Sequence, residues 1–159
     1  MKNKDLLRAV KMFGSPSYVY DASKIKKQYN RLITSFKTVK NLKINYAVKA
    51  LSNLSILKYI NHLGAGIDTV SIQEVVIGIK AGFSPDKIIY TPNGVSINEI
   101  IKVSKMGVNI NIDNLNMLEQ FGSLHPEIPV CIRINPHVMA GGNNKISVGH
   151  IDSKFGISI

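Results

Sequence analysis

From residue 42 onward the chain alternates between short, β-branched apolar runs and longer stretches with helical spacing. The runs LKINYAV, GIDTV, KIIYT, VNINI and VCIRI begin near positions 42, 66, 87, 108 and 129, a period of 21 to 24 residues. Such a period accommodates one strand, one helix and two short loops. Between the runs, apolar residues recur on one helical face, as Leu54, Leu57 and Ile60 do, and then Ile72, Val75, Val76 and Ile79. Ser71 with Glu74, and Ser96 with Glu99, match the capping box, in which hydroxyl and carboxylate satisfy backbone donors of the first turn reciprocally. Gly64, Gly82, Gly107 and Gly122 each follow an apolar face, where a left-handed residue ends a helix. The whole reads βαβαβαβαβ with parallel strands.

Ahead of the repeat, an opening helix precedes SYVYD at residues 17 to 21, which alternates like a short strand. Ser23 to Phe36 follows as an amphipathic helix with Ile25, Tyr29, Leu32, Ile33 and Phe36 on one side. The expected organisation is therefore a helix, strand and helix over 1–40 leading into a partial (β/α) barrel over 41–159.

Parallel strands joined by right-handed crossovers either close into a barrel or stay open as a doubly wound sheet. The open sheet normally carries a glycine-rich first turn, and LKINYAVKALS contains no glycine. A complete barrel takes about 250 residues, whereas this chain has 159. The predicted class is α/β: the N-terminal portion of a (β/α)₈ TIM-type barrel, ending after about the fifth strand.

Composition narrows the function. With 45% hydrophobic and 19% charged residues, the chain can bury a core. No apolar run reaches the length of a membrane span or of a signal peptide. The one cysteine, Cys131, excludes an internal disulfide and a cysteine-based zinc site and fits a reducing cytoplasm. A net charge of +10 raises the question of nucleic acid, but the lysines are scattered and the densest group, Lys24, Lys26 and Lys27, falls on the solvated side of a helix. Neither a nucleic-acid nor a membrane partner is expected. His62 on a helix and His125 before a proline read as structural, and His137 and His150 share a loop with no metal-ligand spacing, so no metal site is expected.

The first strand of the repeat ends in YAVKA, which puts Lys49 at the strand's C-terminal end, the face on which barrel enzymes assemble their sites. Among Ala47, Val48 and Ala50 its amine is expected to be partly desolvated, favouring the neutral form that condenses with an aldehyde cofactor. Arg133 alternates with Ile132 and Ile134 toward the interior, where its guanidinium needs a carboxylate or a cofactor oxygen. Asp68 ends the second strand, either as a site residue or as a cap of the helix opening at Ser71. Glu74 is accounted for by its capping box.

YAVKA, GAGIDTVSIQEV (64–75), KAGFSPDKIIYTPNGVS (80–96), VNINIDNLNMLE (108–119) and CIRINPHVMAGGNNKISVGHIDSKFGI (131–157) together resemble the alanine racemase-like, fold type III decarboxylases acting on ornithine, arginine and diaminopimelate. TPNGVS stands where that family commonly has GNNKS. The resemblance implies pyridoxal 5'-phosphate as cofactor, Lys49 as the catalytic lysine that bonds it, and Asp68, Arg133 and Lys154 as further cofactor-site residues. The last stretch is most similar to the branch that converts meso-diaminopimelate to L-lysine and carbon dioxide. Ornithine, arginine or carboxynorspermidine are the alternative substrates, and a non-catalytic, cofactor-binding regulatory homologue is the reading from another class. The resemblance further implies a cytoplasmic enzyme that is, at full length, a homodimer with active sites at the interface. It also places the family's ring-stacking histidine, glycine-rich phosphate loop, glutamate partner of the pyridine nitrogen and C-terminal β-domain after residue 159.

Overall fold

The computed structural model describes residues 1–138, 149 and 153–158. The chain divides into two compact units, Met1–Leu42 and Lys43–Ile159.

The first unit holds two helices, α1 (Asn3–Phe13) and α2 (Ala22–Ser35). Asp21 caps α2. Its carboxylate accepts from the Ser23 hydroxyl at 2.6 Å, from the Ser23 and Lys24 amides at 3.0 and 3.2 Å, and from the N-terminal ammonium at 3.1 Å. These donors, the Ser23 hydroxyl first, hold Asp21 well below the usual carboxylate range. The expected apolar side of α2 is present in sequence, yet no residue of α1 or α2 is buried. SYVYD does not form the expected strand: no described residue pairs with it, and Tyr18 is 92% exposed. Alternation makes a strand only where a neighbour supplies the ladder hydrogen bonds.

The second unit repeats strand and helix. The strands β1 (Asn45–Ala47), β2 (Gly66–Thr69), β3 (Ile88–Tyr90), β4 (Asn109–Ile112) and β5 (Val130–Ile132) alternate with α3 (Leu54–His62), α4 (Ile72–Lys80), α5 (Ile97–Ser104) and α6 (Leu115–Leu124). All pairings are parallel and the sheet order is β1-β2-β3-β4-β5. A doubly wound sheet reverses its order at a switch point. This one never does, and its winding is that of a portion of a (β/α)₈ barrel. A further pair, β6 (Ile134–Asn135) with β7 (Ile157–Ser158), is also parallel. Arg133 joins it to the main sheet: its amide donates to the Ile112 carbonyl and its carbonyl accepts from the Ile157 amide, both at 2.8 Å. The winding thus continues one short step past the fifth strand, a step too brief to stand out as an apolar run.

Strand alternation separates a core face from a site face. Ile67, Thr69, Ile88, Tyr90, Ile110 and Ile112 are all at most 1% exposed. They belong to one core with Leu57 and Ile60 of α3, Val75 of α4, Ile100 and Val103 of α5 and Phe121 of α6. Burying each aliphatic or phenylalanine side chain among them contributes about 1.5–3 kcal/mol. Gly78 in α4 has no side chain where a Cβ would overlap Ile67 Cδ1, so helix and strand meet closely. On the other face, register sets Asp68 between Ala47 and Ile89, and Asn111 beside Cys131.

The helix signals are met in part. Ser71 and Ser96 cap α4 and α5 as expected, while Asn53 and Asn114 cap α3 and α6 in the same way. The carboxylates of the two boxes go elsewhere: Glu74 accepts from the Val70 amide at 2.8 Å, and Glu99 from the Tyr90 hydroxyl at 2.6 Å. Gly64, Gly82 and Gly107 take the left-handed conformation that ends a helix, with φ of 95°, 90° and 73°. Gly122 does not. It lies inside α6, which runs on to Leu124 and stops at His125, before Pro126, because a residue preceding proline is disfavoured in the helical region.

Candidate functional site

The C-terminal ends of the strands surround a cavity of about 480 Å³. Lys49 enters it after β1, Asp68 and Val70 from β2, Thr91 and Asn93 after β3, Asn111 from β4, and Arg133 after β5, with Phe155 on the segment before β7. Three of the four expected site residues, Lys49, Asp68 and Arg133, are therefore brought together.

Lys49 differs from expectation in its surroundings. The strand stops at Ala47, and Val48–Ala50 forms a 3₁₀ turn. That turn sends Val48 into the core at 0% exposure and leaves Lys49 exposed rather than partly desolvated. Tyr46 stiffens the turn by donating its hydroxyl to the Leu51 carbonyl at 3.3 Å.

Asp68 is half-buried and does not cap α4, a role taken by Ser71. One of its oxygens, Oδ1, accepts a hydrogen bond of 2.7 Å from the Thr91 hydroxyl on the neighbouring strand. Arg133 is also half-buried, and its guanidinium carbon stands 4.6 Å from the centroid of the Phe155 ring, a cation–π arrangement. Among the described residues it has no carboxylate within ion-pair distance. The fourth expected residue, Lys154, is exposed and is not part of the cavity lining; its ammonium lies 5.1 Å from the Phe155 centroid. Within SKFG it is Phe155, and not Lys154, that lines the cavity.

Asn93 ties the rim together. Its amide donates to the buried Asp113 carboxylate at 2.7 Å and to the Lys154 carbonyl at 3.5 Å. Thr91, Asn93, Asn111, Val70 and Phe155 escaped the sequence reading. Thr91 carried the same signal as Lys49, a polar residue closing an apolar run, and Asn93 lies in the very stretch, TPNGVS, that departs from the common pattern.

The described histidines do not line this cavity: His62 stacks on Tyr59 with ring centroids 6.5 Å apart, His125 lies 5.4 Å from Phe121, and His137 Nε2 is 3.1 Å from Ser158 Oγ. His150 lies outside the described residues. No helix of the described residues is long and apolar enough to cross a membrane.

Two cations, Lys49 and Arg133, thus face one carboxylate, Asp68, around a single cavity. The donor set suits a small ligand carrying both a carbonyl and an anionic group: a primary amine to bond the carbonyl, and a guanidinium that has no carboxylate partner among the described residues to meet the anion. Asn111 Oδ1, on the same wall, is buried without a hydrogen-bond partner among the described residues.

A cationic ligand cavity at the C-terminal mouth of a singly wound parallel sheet defines the class of barrel-type α/β enzyme domains. More particularly, residues 22–159 match the family model of the pyridoxal-dependent decarboxylases, pyridoxal binding domain, and the chain belongs to that family. The chain is 35% identical to the diaminopimelate decarboxylase of Methanothermobacter thermautotrophicus, over 96% of this chain and 36% of that protein. It is 39% identical to the diaminopimelate decarboxylase of Helicobacter pylori, over 91% of this chain and 37% of that protein. A crystal structure of the Helicobacter pylori enzyme complexed with L-lysine superposes with a TM-score of 0.84 at 34% identity, covering 99% of this chain and 40% of that one. The chain thus spans little more than a third of the length of these curated relatives.

Proposed function

We propose that this chain supplies the cofactor-binding half-barrel of a decarboxylase that converts meso-diaminopimelate to L-lysine and carbon dioxide. The observation that carries the reading is the convergence of Lys49, Asp68 and Arg133 on one cavity at the strand ends, in a chain whose curated relatives are diaminopimelate decarboxylases. Bound there, pyridoxal phosphate supplies the conjugated ring that takes up the electron pair left when an α-carboxylate departs.

The chain's own residues have distinct parts in this reading. Lys49 would hold the cofactor through its amine, and as an exposed residue lining the cavity it would remain accessible to a substrate. Asp68, lining the same cavity, would supply the negative charge that balances a cationic nitrogen there. Arg133, braced by Phe155, offers donors to an anionic oxygen. Lys154 contributes charge at the rim, beside the same ring. At full length, a homodimer completes the active site.

The test is a chimera in which residues 1–159 replace the matching part of the Helicobacter pylori enzyme, assayed for carbon dioxide release from meso-diaminopimelate, ornithine and arginine. Release from meso-diaminopimelate in preference to the other two, abolished by Lys49→Ala, is the expected outcome. Preference for ornithine or arginine would overturn the substrate assignment, and equal release by the Lys49→Ala variant would overturn the role of that lysine.

A further inference from the structure

Two threonine hydroxyls cross between β2 and β3, one on each face of the sheet. Thr69, on the core face and 0% exposed, donates to the Ile89 carbonyl at 2.9 Å. That bond satisfies a buried hydroxyl and needs no further explanation. Thr91 is different. Its amide is already fixed by the Thr69 carbonyl at 2.8 Å, and its hydroxyl donates across the cavity wall to Asp68 Oδ1 at 2.7 Å. A threonine has one hydroxyl proton, and here it goes to a half-buried carboxylate that lines the same cavity as Lys49. Asp68 Oδ1 is thereby held, and Thr91 is the hydrogen-bond donor that the described residues give this carboxylate.

We propose that Thr91 is a positioning residue of the cofactor site, fixing the Asp68 carboxylate so that its charge stays directed at the nitrogen Lys49 contributes; this rests on the reading of Lys49 as the residue that bonds pyridoxal phosphate. Without the hydroxyl, Asp68 is free to turn away or to collect water, and its charge then acts through a higher effective dielectric. Among the described residues, Lys49 and Arg133 are the other charged groups lining this cavity, and Asp113 at the end of β4 is engaged by Asn93. Thr91 thus acts through Asp68 and touches no reacting atom.

The experiment is a double-mutant cycle on the 159-residue chain with pyridoxal phosphate as the probe. Thr91→Val, Thr91→Ser, Asp68→Asn and the Thr91→Val/Asp68→Asn pair are compared for cofactor affinity and for the pH midpoint of the bound cofactor's visible absorbance. Borohydride trapping and peptide mapping identify the labelled lysine. Thr91→Val is expected to weaken binding about tenfold, the scale of one hydrogen bond to a charged group. It should also lower the pH midpoint by about one unit, because a less well-placed carboxylate favours the protonated nitrogen less. Thr91→Ser should restore both, and Thr91→Val should add nothing in the Asp68→Asn background. Thr69→Val, which removes the hydroxyl on the opposite face, should leave the midpoint unchanged and so controls for a merely structural effect. A midpoint and affinity unchanged by Thr91→Val, or an undiminished effect in the Asp68→Asn background, would overturn this inference while leaving the Lys49 reading intact. A label on a lysine other than Lys49 in the unmutated chain would overturn the reading, and this inference with it.

Discussion

Gly66→Ala is the sharpest steric test of how β2 is seated, and β2 is the strand that carries Asp68. The Gly66 backbone requires no left-handed conformation, so the substitution probes space alone. An added Cβ would overlap Asn45 Oδ1 on β1 and stand 2.7 Å from the Lys87 carbonyl oxygen beside β3. The asparagine can swing aside; the carbonyl cannot move without its strand. An ordinary carbon–oxygen contact is about 3.3–3.6 Å, so β2 and the start of β3 must part by roughly 0.6 Å or more. Forced overpacking of this kind costs about 1–3 kcal/mol. The loss of unfolded-state freedom on replacing glycine offsets about 0.4–1 kcal/mol of that. The net cost of up to about 2.6 kcal/mol corresponds to a fall of up to roughly 10 °C in melting temperature for a chain of this size. Thermal unfolding followed by far-UV circular dichroism reads it directly. A Gly66→Ala chain melting at or above the unmutated chain would show that β1, β2 and β3 do not approach one another as described.

Gly122→Ala should act in the opposite direction: Gly122 lies inside α6 with nothing within 4 Å of an added Cβ, so helix propensity alone predicts a gain of about 1 kcal/mol and a higher melting temperature. Tyr90, fully buried and hydrogen-bonded to Glu99, has its phenol pushed well above its ordinary range, first by desolvation and then by that carboxylate. Because the folded state prefers the protonated phenol, this contribution is present below the unfolded phenol's range near pH 10 and is lost as pH rises beyond it; urea midpoints should fall in strong alkali, and less so in Tyr90→Phe. Asp21 has the opposite sign: its depressed folded value favours folding above the ordinary carboxylate range and loses that contribution as pH falls through and below it. NMR shifts of residues 22–25 should report fraying of α2 in acid, and Asp21→Asn should show a weaker acid dependence.

Where local chemistry decides the structure, the sequence was legible. The period of the apolar runs marked β1 to β5, and Ser71 and Ser96 marked the starts of α4 and α5, because a hydroxyl cap acts within one turn. Where a partner distant in sequence decides, it was not. Glu99 follows its serine at capping-box spacing, yet its carboxylate is taken by Tyr90, nine residues back on the core face of β3. Gly122 looks like a helix stop until Pro126 is seen to set the end. SYVYD alternates, and nothing described pairs with it. In the site, Lys49 was found from the strand end it follows, but its exposure depends on a 3₁₀ turn that three residues of sequence do not announce. Thr91 and Asn93 become site residues only once parallel register sets β3 between Asp68 and Asp113.

The cavity is proposed to hold pyridoxal phosphate through Lys49. Incubating the chain with the cofactor, reducing with borohydride and mapping the labelled peptide tests it most directly. A pyridoxyl group on Lys49 within the YAVKA peptide, lost in Lys49→Ala, is the expected result. A label confined to other lysines, with Lys49 unmodified, would contradict it.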